Sequence, residues 1–199
     1  MADHYFTARP GSGGQQRDFE VELVGRRLAV RTAPGVFSGE HLDHATLQLL
    51  RRLEESEEQP GRVLDLGCGW GPVALALALR WPEAEVWAVD VNDRALALTA
   101  RNAERHDLTV QVERPEDVPD DLTFDAIWSN PPVRIGKAAL HELLLMWLDR
   151  LTPDGAMTMV VGRNLGADSL HRWLDDQGWP TERLASAKGF RVLRTTRGR

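Results

Sequence analysis

The chain has 199 residues, 42% of them hydrophobic, and its 24 basic and 30 acidic side chains give a formal net charge of −6. This size suits one domain with a full core over residues 1–199, and no apolar run approaches the roughly 20 residues that a membrane helix needs. The negative charge disfavours strong non-specific binding to nucleic acid. Because Cys68 is the only cysteine, the chain forms no internal disulfide, and we expect a reducing, cytoplasmic location.

The predicted elements begin with a hairpin and a helix. Apolar and polar residues alternate over 19–23 and again over 28–30, which is typical of a β-hairpin. Leucines at helical spacing over 42–53 predict a helix. We therefore expect an N-terminal extension over 1–60 and a core over 61–199.

In the core, short apolar strands alternate with helices. The predicted strands are 63–66, 86–89, 110–112, 124–128, 157–161, 182–187 and 190–195, and the predicted helices are 72–80, 92–105, 137–150 and 167–177. A Pro-Asp-Gly turn at 153–155 is predicted before the strand 157–161. This alternation predicts a parallel sheet that is covered on both faces. The fold class is therefore α/β, with a mostly parallel seven-stranded sheet and helices on both of its faces.

A glycine-rich segment follows the first core strand. Asp65, Gly67, Gly69 and Gly71 form a D-x-G-x-G-x-G pattern at the edge where α/β sheets bind nucleotides. Glycines let the backbone approach a ligand closely. The carboxylate of Asp65 would repel a phosphate, but it would suit a cation such as the ammonium of a methionine moiety. Cys68 is interpreted as a small side chain that fills the loop.

An acidic residue, Asp90, ends the second core strand. A carboxylate at this place typically accepts hydrogen bonds from both hydroxyls of a ribose. The alternative role is to cap the following helix, for which Asn92 is better placed. We interpret Asp90 as a ribose ligand.

A rigid corner, Asn130-Pro131-Pro132-Val133, follows the fourth core strand. Asn-Pro alone is an ordinary turn signal, but two prolines can hold the Asn130 side-chain oxygen and the Pro131 carbonyl as a fixed pair of acceptors. Such a pair would grip the N–H groups of an exocyclic amine and favour a pyramidal nitrogen facing a sulfonium methyl, chiefly in the transition state. The methylated nitrogen can lose its proton to water, so this chemistry needs no catalytic histidine or cysteine.

These segments resemble class I S-adenosylmethionine-dependent methyltransferases, and the upstream segments resemble the small methyltransferase family, which includes bacterial 16S rRNA guanine-N2 methyltransferases. The matching segments are HYF at 4–6, TAPGVFS at 32–38, DLGCGWGP at 65–72, VDVNDRAL at 89–96, NPPVRIGK at 130–137 and LTPDG at 151–155. The resemblance covers nearly the whole chain in the right order. It implies a Rossmann-like fold, S-adenosylmethionine as cofactor and S-adenosylhomocysteine as product.

The resemblance also implies a set of site residues. The cofactor would contact Asp65, Gly67, Cys68, Gly69, Gly71, Asp90, Val91, Asn92, Asn130, Phe37 and Ser38, with Glu116 or Asp117 at the adenine amine, and Asn130, Pro131, Pro132 and Val133 would be catalytic. Phe37 could instead belong to the core. Arg134 and Lys137 could meet substrate phosphates, or they could form a solvated helix start.

Two departures bear on the substrate. Val133 stands where many exocyclic-amine methyltransferases have a Tyr or Phe that stacks on the target base, and the duplicated N-terminal domain of longer family members is absent from this sequence. We expect guanine N2 of 16S rRNA as the target, ribosomal RNA or the small ribosomal subunit as the partner, a monomer, no membrane and no metal. The alternatives are a protein glutamine, a small-molecule amine or a DNA adenine as substrate, and a cofactor-binding module without activity.

Overall fold

The computed structural model describes residues 16–36 and 42–198, without the side chain of residue 134. In chain order, the helices and strands are β1 (Arg17–Leu23), β2 (Arg26–Thr32), α1 (His44–Glu54), β3 (Arg62–Leu66), α2 (Pro72–Arg80), β4 (Glu85–Val89), α3 (Asp93–Glu104), β5 (Gln111–Glu113), β6 (Phe124–Ser129), α4 (Lys137–Leu148), β7 (Leu151–Gly162), α5 (Ala167–Asp176), β8 (Thr181–Ala187) and β9 (Phe190–Thr196). Single turns of 3-10 helix cover Pro115–Asp117, Val133–Ile135 and Arg163–Leu165.

The main sheet has seven strands in the order β5-β4-β3-β6-β7-β9-β8. Neighbours from β5 to β7 are parallel, and β9 is antiparallel to both β7 and β8. The chain moves outward from β3 to β4 and β5 and then returns to β6 on the other side of β3. The carboxyl ends of β3 and β6 therefore flank a topological switch point, where α/β sheets bind their ligands. The predicted mostly parallel, seven-stranded sheet is confirmed.

Helices cover both faces of this sheet. Adjacent residues of β3 belong to different apolar clusters, because successive side chains of a strand point to opposite faces. Val63 packs in the cluster that contains residues of α1, α2 and α3. Leu64 packs in the cluster that contains residues of α4 and α5. The two-sided burial explains why the core strands are nearly continuous apolar runs.

The strand β7 differs from its sequence prediction, which began it at residue 157 after a Pro-Asp-Gly turn. In the structure it begins at Leu151, which pairs with Phe124, and the register then shifts so that Ala126 pairs with Ala156. The extra residues of β7 form a bulge. Gly155 allows the close approach there, since a Cβ at this position would lie 2.8 Å from the Phe124 carbonyl oxygen.

The hairpin of β1 and β2 is fastened to the core by Asn102 of α3, which is fully buried. The Arg31 backbone N–H donates to Asn102 Oδ1 over 2.8 Å, and Asn102 Nδ2 donates to the carbonyl oxygens of Arg31 and Trp70 over 2.9 and 2.8 Å. The Phe19 ring meets Trp70 edge-on at 5.4 Å. The hairpin therefore covers the outer side of the glycine-rich segment and buries the Trp70 indole.

Several tryptophans belong to the core. Trp81, Trp128 and Trp147 are buried, and Trp87 is half-buried. Among the described residues, none of the helices is both long and apolar enough to span a membrane.

Candidate active site

A cleft of about 650 Å³ lies at the carboxyl ends of β3, β4 and β6. The loops after these three strands line it, together with the start of α1. Of the residues predicted from the sequence, those that line the cleft are Asp65, Gly67, Cys68, Gly69, Asp90, Val91, Asn92, Asn130, Pro131, Pro132 and Val133. The fold thus brings the glycine-rich segment and the Asn-Pro-Pro corner to the same cavity.

The glycine-rich segment wraps around the end of β4. The backbone N–H groups of Gly67 and Cys68 both donate to the Val89 carbonyl oxygen, over 2.9 and 3.0 Å. Gly67 and Gly69 have φ angles of 82° and 60°, in the left-handed region that favours glycine. A Cβ on Gly67 would meet nothing within 4 Å, so the backbone there borders open space that a ligand can approach.

The Cys68 side chain is buried within the loop. It is 2% exposed and packs against Ala74 and Ala88, while the Thr99 hydroxyl lies 3.4 Å from its Sγ. Burial raises the pKa of the Cys68 thiol well above its ordinary value, and the nearby carboxyls Asp65 and Asp90 add to the shift. The thiol therefore stays protonated and fills the loop, as the sequence interpretation had it.

Asp65 is the buried carboxyl of the site, with 1% of its surface exposed. Its Oδ2 accepts a hydrogen bond of 2.9 Å from the Ala74 N–H in the first turn of α2. Burial raises the pKa of Asp65 to about 8, the neighbouring charge of Asp90 adds to the rise, and the hydrogen bond from Ala74 opposes it. A cation in the cleft would favour the ionised carboxylate, because an opposite charge nearby stabilises the charged form.

Asp90 joins the ends of two loops. Its Oδ2 accepts from the Gly69 N–H over 3.0 Å, and its Oδ1 accepts from the Asn92 N–H over 2.9 Å. The N-cap of α3 is Asn92, whose side chain accepts from the Arg94 N–H. Asp90 is therefore not the cap of the helix, and its carboxylate borders the cleft beside the glycine-rich segment.

The Asn-Pro-Pro corner has a fixed backbone. The Val133 N–H donates to the Pro131 carbonyl oxygen over 2.8 Å, and Pro132 has φ −76° and ψ 68°, the geometry of an inverse γ-turn. A carbonyl oxygen has two lone pairs, so the Pro131 carbonyl keeps one for a substrate. The Ser129 hydroxyl donates to the Leu66 carbonyl oxygen over 2.7 Å, which holds the end of β6 against the end of β3.

The start of α1 supplies two polar side chains that the sequence reasoning missed. Asn130 Nδ2 donates to the Thr46 hydroxyl oxygen over 3.1 Å, and the Thr46 hydroxyl donates to Asp43 Oδ2 over 2.5 Å. Asp43 is also the N-cap of α1, since its Oδ1 accepts from the backbone N–H groups of Ala45 and Thr46. An N-cap aspartate before a helix is a readable signal, but nothing local indicates that this helix start meets a residue that follows it by 84 positions.

Some predicted residues lie elsewhere. Gly71, the N-cap of α2, does not line the cleft, and a Cβ on it would lie 3.0 Å from the Thr99 side chain, so it permits close packing of α2 and α3. Glu116 and Asp117 are exposed and also lie outside the lining, because they belong to the short 3-10 turn of which only Pro115 borders the cleft. Glu116 instead lies 3.4 Å from Arg114.

The remaining predicted positions lie around the cleft or outside the described part of the chain. Lys137 is exposed at the first turn of α4, and the backbone of Arg134 lies in the preceding 3-10 turn. Phe37 and Ser38 are outside the described residues. Within residues 16–36 and 42–198, we find no group of three or more His, Cys, Asp or Glu side chains that could hold a metal ion.

Comparison with known proteins identifies the family of this chain. Residues 27–194 match the family described as the methyltransferase small domain. This match extends over most of the chain, so the protein belongs to this family of methyltransferases. The expectation of an S-adenosylmethionine-dependent methyltransferase is thereby confirmed at the level of the family.

Individual relatives are similar over nearly the whole chain. Uncharacterized protein YbxB of Bacillus subtilis is 28% identical over 98% of both chains. Ribosomal RNA small subunit methyltransferase C of Pseudomonas entomophila is 32% identical over 98% of this chain and 59% of its own length. The chain spans about half the length of the ribosomal RNA small subunit methyltransferases that it matches.

Solved structures show the same fold. A T. thermophilus 16S rRNA N2 methyltransferase, in complex with AdoMet and guanosine, superposes with a TM-score of 0.81 and 27% identity over 94% of this chain and 52% of that one. A methyltransferase from Pyrococcus furiosus superposes with a TM-score of 0.70 and 19% identity over 86% of this chain and 90% of that one, which supports the fold alone.

Proposed function

We propose that this protein is an S-adenosylmethionine-dependent N-methyltransferase that acts on an exocyclic amine, and that the amine is guanine N2 of 16S ribosomal RNA. The observation that carries the proposal is the placement of Asn130 and Pro131 in the same cleft as Gly67 and Gly69. The amine acceptors and the predicted cofactor loop therefore border one cavity, as direct methyl transfer between two bound molecules requires.

The residues of the cleft fit the cofactor. The backbone is open at Gly67, which suits the methionine part, and the buried Asp65 carboxyl would pair with the ammonium group. The Asp90 carboxylate already accepts one hydrogen bond at each oxygen from the backbone. Each carboxylate oxygen can accept a further bond, so Asp90 can also take both ribose hydroxyls, with Val91 beside the adenine.

The chemistry needs two acceptors and a methyl donor. When bound, the cofactor supplies a methyl group on a sulfonium. Asn130 Oδ1 and the Pro131 carbonyl would accept the two N–H groups of the amine and turn its lone pair toward that methyl. The nitrogen–carbon bond would form as the carbon–sulfur bond of the bound cofactor broke, and the methylated nitrogen would then lose a proton to water. If Asn130 contributes about 2–3 kcal/mol in the transition state, its loss lowers the rate about 100-fold.

The substrate is inferred from the relatives and from the mouth of the cleft. The names of the similar methyltransferases specify ribosomal RNA of the small subunit, and one of them was solved with guanosine. Val133 is half-buried and lines the cleft, so it offers an aliphatic surface to a base. Lys137, and Arg134 by its position in the sequence, would meet flanking phosphates. We further propose a monomeric, single-domain, cytoplasmic enzyme that works on the RNA or the assembled small subunit.

The proposal is tested with purified protein, S-adenosylmethionine and either naked 16S rRNA or small ribosomal subunits that lack the modification. Nucleosides from each reaction are separated by chromatography and then identified and quantified by mass spectrometry. We expect N2-methylguanosine from at least one RNA substrate, and about 100-fold less from Asn130→Ala at equal time. Methylation of a protein glutamine, a DNA adenine or a free amine, with none of RNA, would contradict the guanine assignment while leaving the fold-level chemistry in place.

A further inference from the structure

The hydrogen bonds between α1 and the Asn-Pro-Pro corner have a defined direction. Asp43 is a carboxylate that accepts every bond it makes here: from the Ala45 and Thr46 backbone N–H groups at Oδ1, over 2.9 and 3.0 Å, and from the Thr46 hydroxyl at Oδ2, over 2.5 Å. A threonine hydroxyl has a single hydrogen. Since Thr46 gives that hydrogen to Asp43, its oxygen can only accept a bond from any other neighbour.

The direction fixes the orientation of the Asn130 amide. The Asn130 group that lies 3.1 Å from Thr46 Oγ1 must be the donor, so it is the NH₂ group. The amide oxygen then lies on the other side of the side chain, and none of the described residues donates a hydrogen bond to it. If the amide rotated by 180°, its oxygen would face the lone pairs of Thr46 Oγ1. Its NH₂ group, a donor, would then lie where the N–H groups of the target amine require an acceptor.

We propose that Asp43 and Thr46 are positioning residues that orient Asn130 so that its amide oxygen faces the substrate. This inference rests on the proposed function, in which Asn130 Oδ1 accepts an N–H group of the target amine. Thr46 is 2% exposed, so water competes poorly for its hydroxyl, and Asp43 is held by the first turn of α1 that it caps. The N-terminal extension thereby takes part in the reaction through Asn130.

Reversing the direction of the hydrogen bonds is the sharpest test. Asparagine caps helices about as well as aspartate, so Asp43→Asn keeps the cap through its amide oxygen. Its NH₂ group, however, must donate to Thr46 Oγ1, which sends the Thr46 hydrogen toward Asn130 and turns the Asn130 amide over. We expect a kcat about 10- to 100-fold lower, the factor that one or two hydrogen bonds supply, with an unchanged melting temperature and an unchanged Kd for S-adenosylhomocysteine.

Two variants of Thr46 complete the series. Thr46→Val removes the hydroxyl and leaves the amide free to adopt either orientation, so we expect a kcat roughly 10-fold lower with little change in KM for RNA. Thr46→Ser keeps the hydroxyl and should restore most of the rate. In the Thr46→Val background, Asp43→Asn should have no further effect, because the link between the two side chains is already broken.

A second aspartate–threonine pair provides matched controls. The Thr152 hydroxyl donates to Asp125 Oδ1 over 3.1 Å. Both residues lie near the amino ends of β6 and β7, whereas the cleft lies at the carboxyl ends of the strands. Asp125→Asn and Thr152→Val make the same chemical changes as the site variants and should leave kcat as in the wild type. Any loss of stability is read from thermal unfolding, and rates are compared at a temperature where every variant is folded.

The amide orientation also has a readout that does not depend on activity. In the wild type, the side-chain NH₂ protons of Asn130 should show nuclear Overhauser contacts to the Thr46 methyl group, and these should weaken in Asp43→Asn. An active wild type with an equally active Asp43→Asn, or contacts that do not change, would overturn the inference alone. A wild type that methylates no RNA would contradict the proposed function, and the orientation would still be decided by the NMR contacts.

Discussion

Replacing Asp65 with asparagine should change how the stability of the cofactor-free protein depends on pH. The pKa of Asp65 rises from 3.8 to about 8 in the folded chain, chiefly through burial. Between these two values the folded protein holds a proton that the unfolded chain has released. The free energy of unfolding therefore falls as pH rises from about 4 to about 8.

The size of the effect follows from the window. From about pH 5.5 to about pH 7.5 the folded chain retains nearly one extra proton, and one pH unit per proton corresponds to roughly 1.4 kcal/mol. The ionisation of Asp65 therefore lowers the free energy of unfolding by roughly 2–3 kcal/mol over this range. In the Asp65→Asn variant the side chain has no titratable proton, and its amide oxygen still accepts from the Ala74 N–H. The variant should therefore lack the fall in unfolding free energy that Asp65 causes between these pH values.

Urea unfolding of wild type and variant at the two pH values measures the difference. Asp176→Asn, which changes an exposed carboxylate of α5, is the control and should keep the slope of the wild type. The same pH slope in Asp65→Asn and in the wild type would show that Asp65 holds no extra proton in the folded chain. The variant should also bind S-adenosylhomocysteine more weakly, because the ammonium group loses its carboxylate partner.

Further changes probe other parts of the site. Asn130→Ala should lower kcat about 100-fold with an unchanged Kd for S-adenosylhomocysteine, measured by single-turnover methylation and calorimetry; an unchanged kcat would exclude the amide as an acceptor. Asp90→Ala should raise that Kd about 10- to 100-fold, and a Kd within twofold of the wild type would remove the ribose role. Gly71→Ala should destabilise the protein by about 1–3 kcal/mol in urea, because the φ of 95° and the 3.0 Å approach to Thr99 leave no room for a methyl group. Lys137→Ala should weaken RNA binding and lower its salt slope by about 1, while an unchanged slope would place the phosphates elsewhere.

Much of the fold could be predicted from the sequence because its signals are local. The alternation of short apolar strands and helices specifies a parallel sheet, and the D-x-G-x-G-x-G pattern at Asp65 lies where the first core strand ends. The start of β7 was predicted too late because Pro-Asp-Gly is a turn signal, and in the structure these residues form a bulge within a longer strand. Propensity alone does not distinguish a turn from a bulge of the same residues.

The site was predictable where its residues follow strands, since the carboxyl ends of parallel strands meet at one edge. Glu116 and Asp117 have the right charge, but their short 3-10 turn presents them to solvent. Trp70 lies in the glycine-rich segment, and only the packing of the hairpin shows that its indole is buried. The link from Asp43 through Thr46 to the corner depends on how α1 docks on the sheet, which no local pattern reveals.

Methylation of an rRNA amine at the Asn-Pro-Pro corner is tested by mapping the methylated guanosines in the 16S rRNA of a strain that lacks this gene. We expect that one N2-methylguanosine disappears, that the wild-type gene restores it, and that Asn130→Ala does not. An unchanged modification profile in the deletion strain, or full restoration by Asn130→Ala, would contradict the claim that an amine of the RNA is held at this corner.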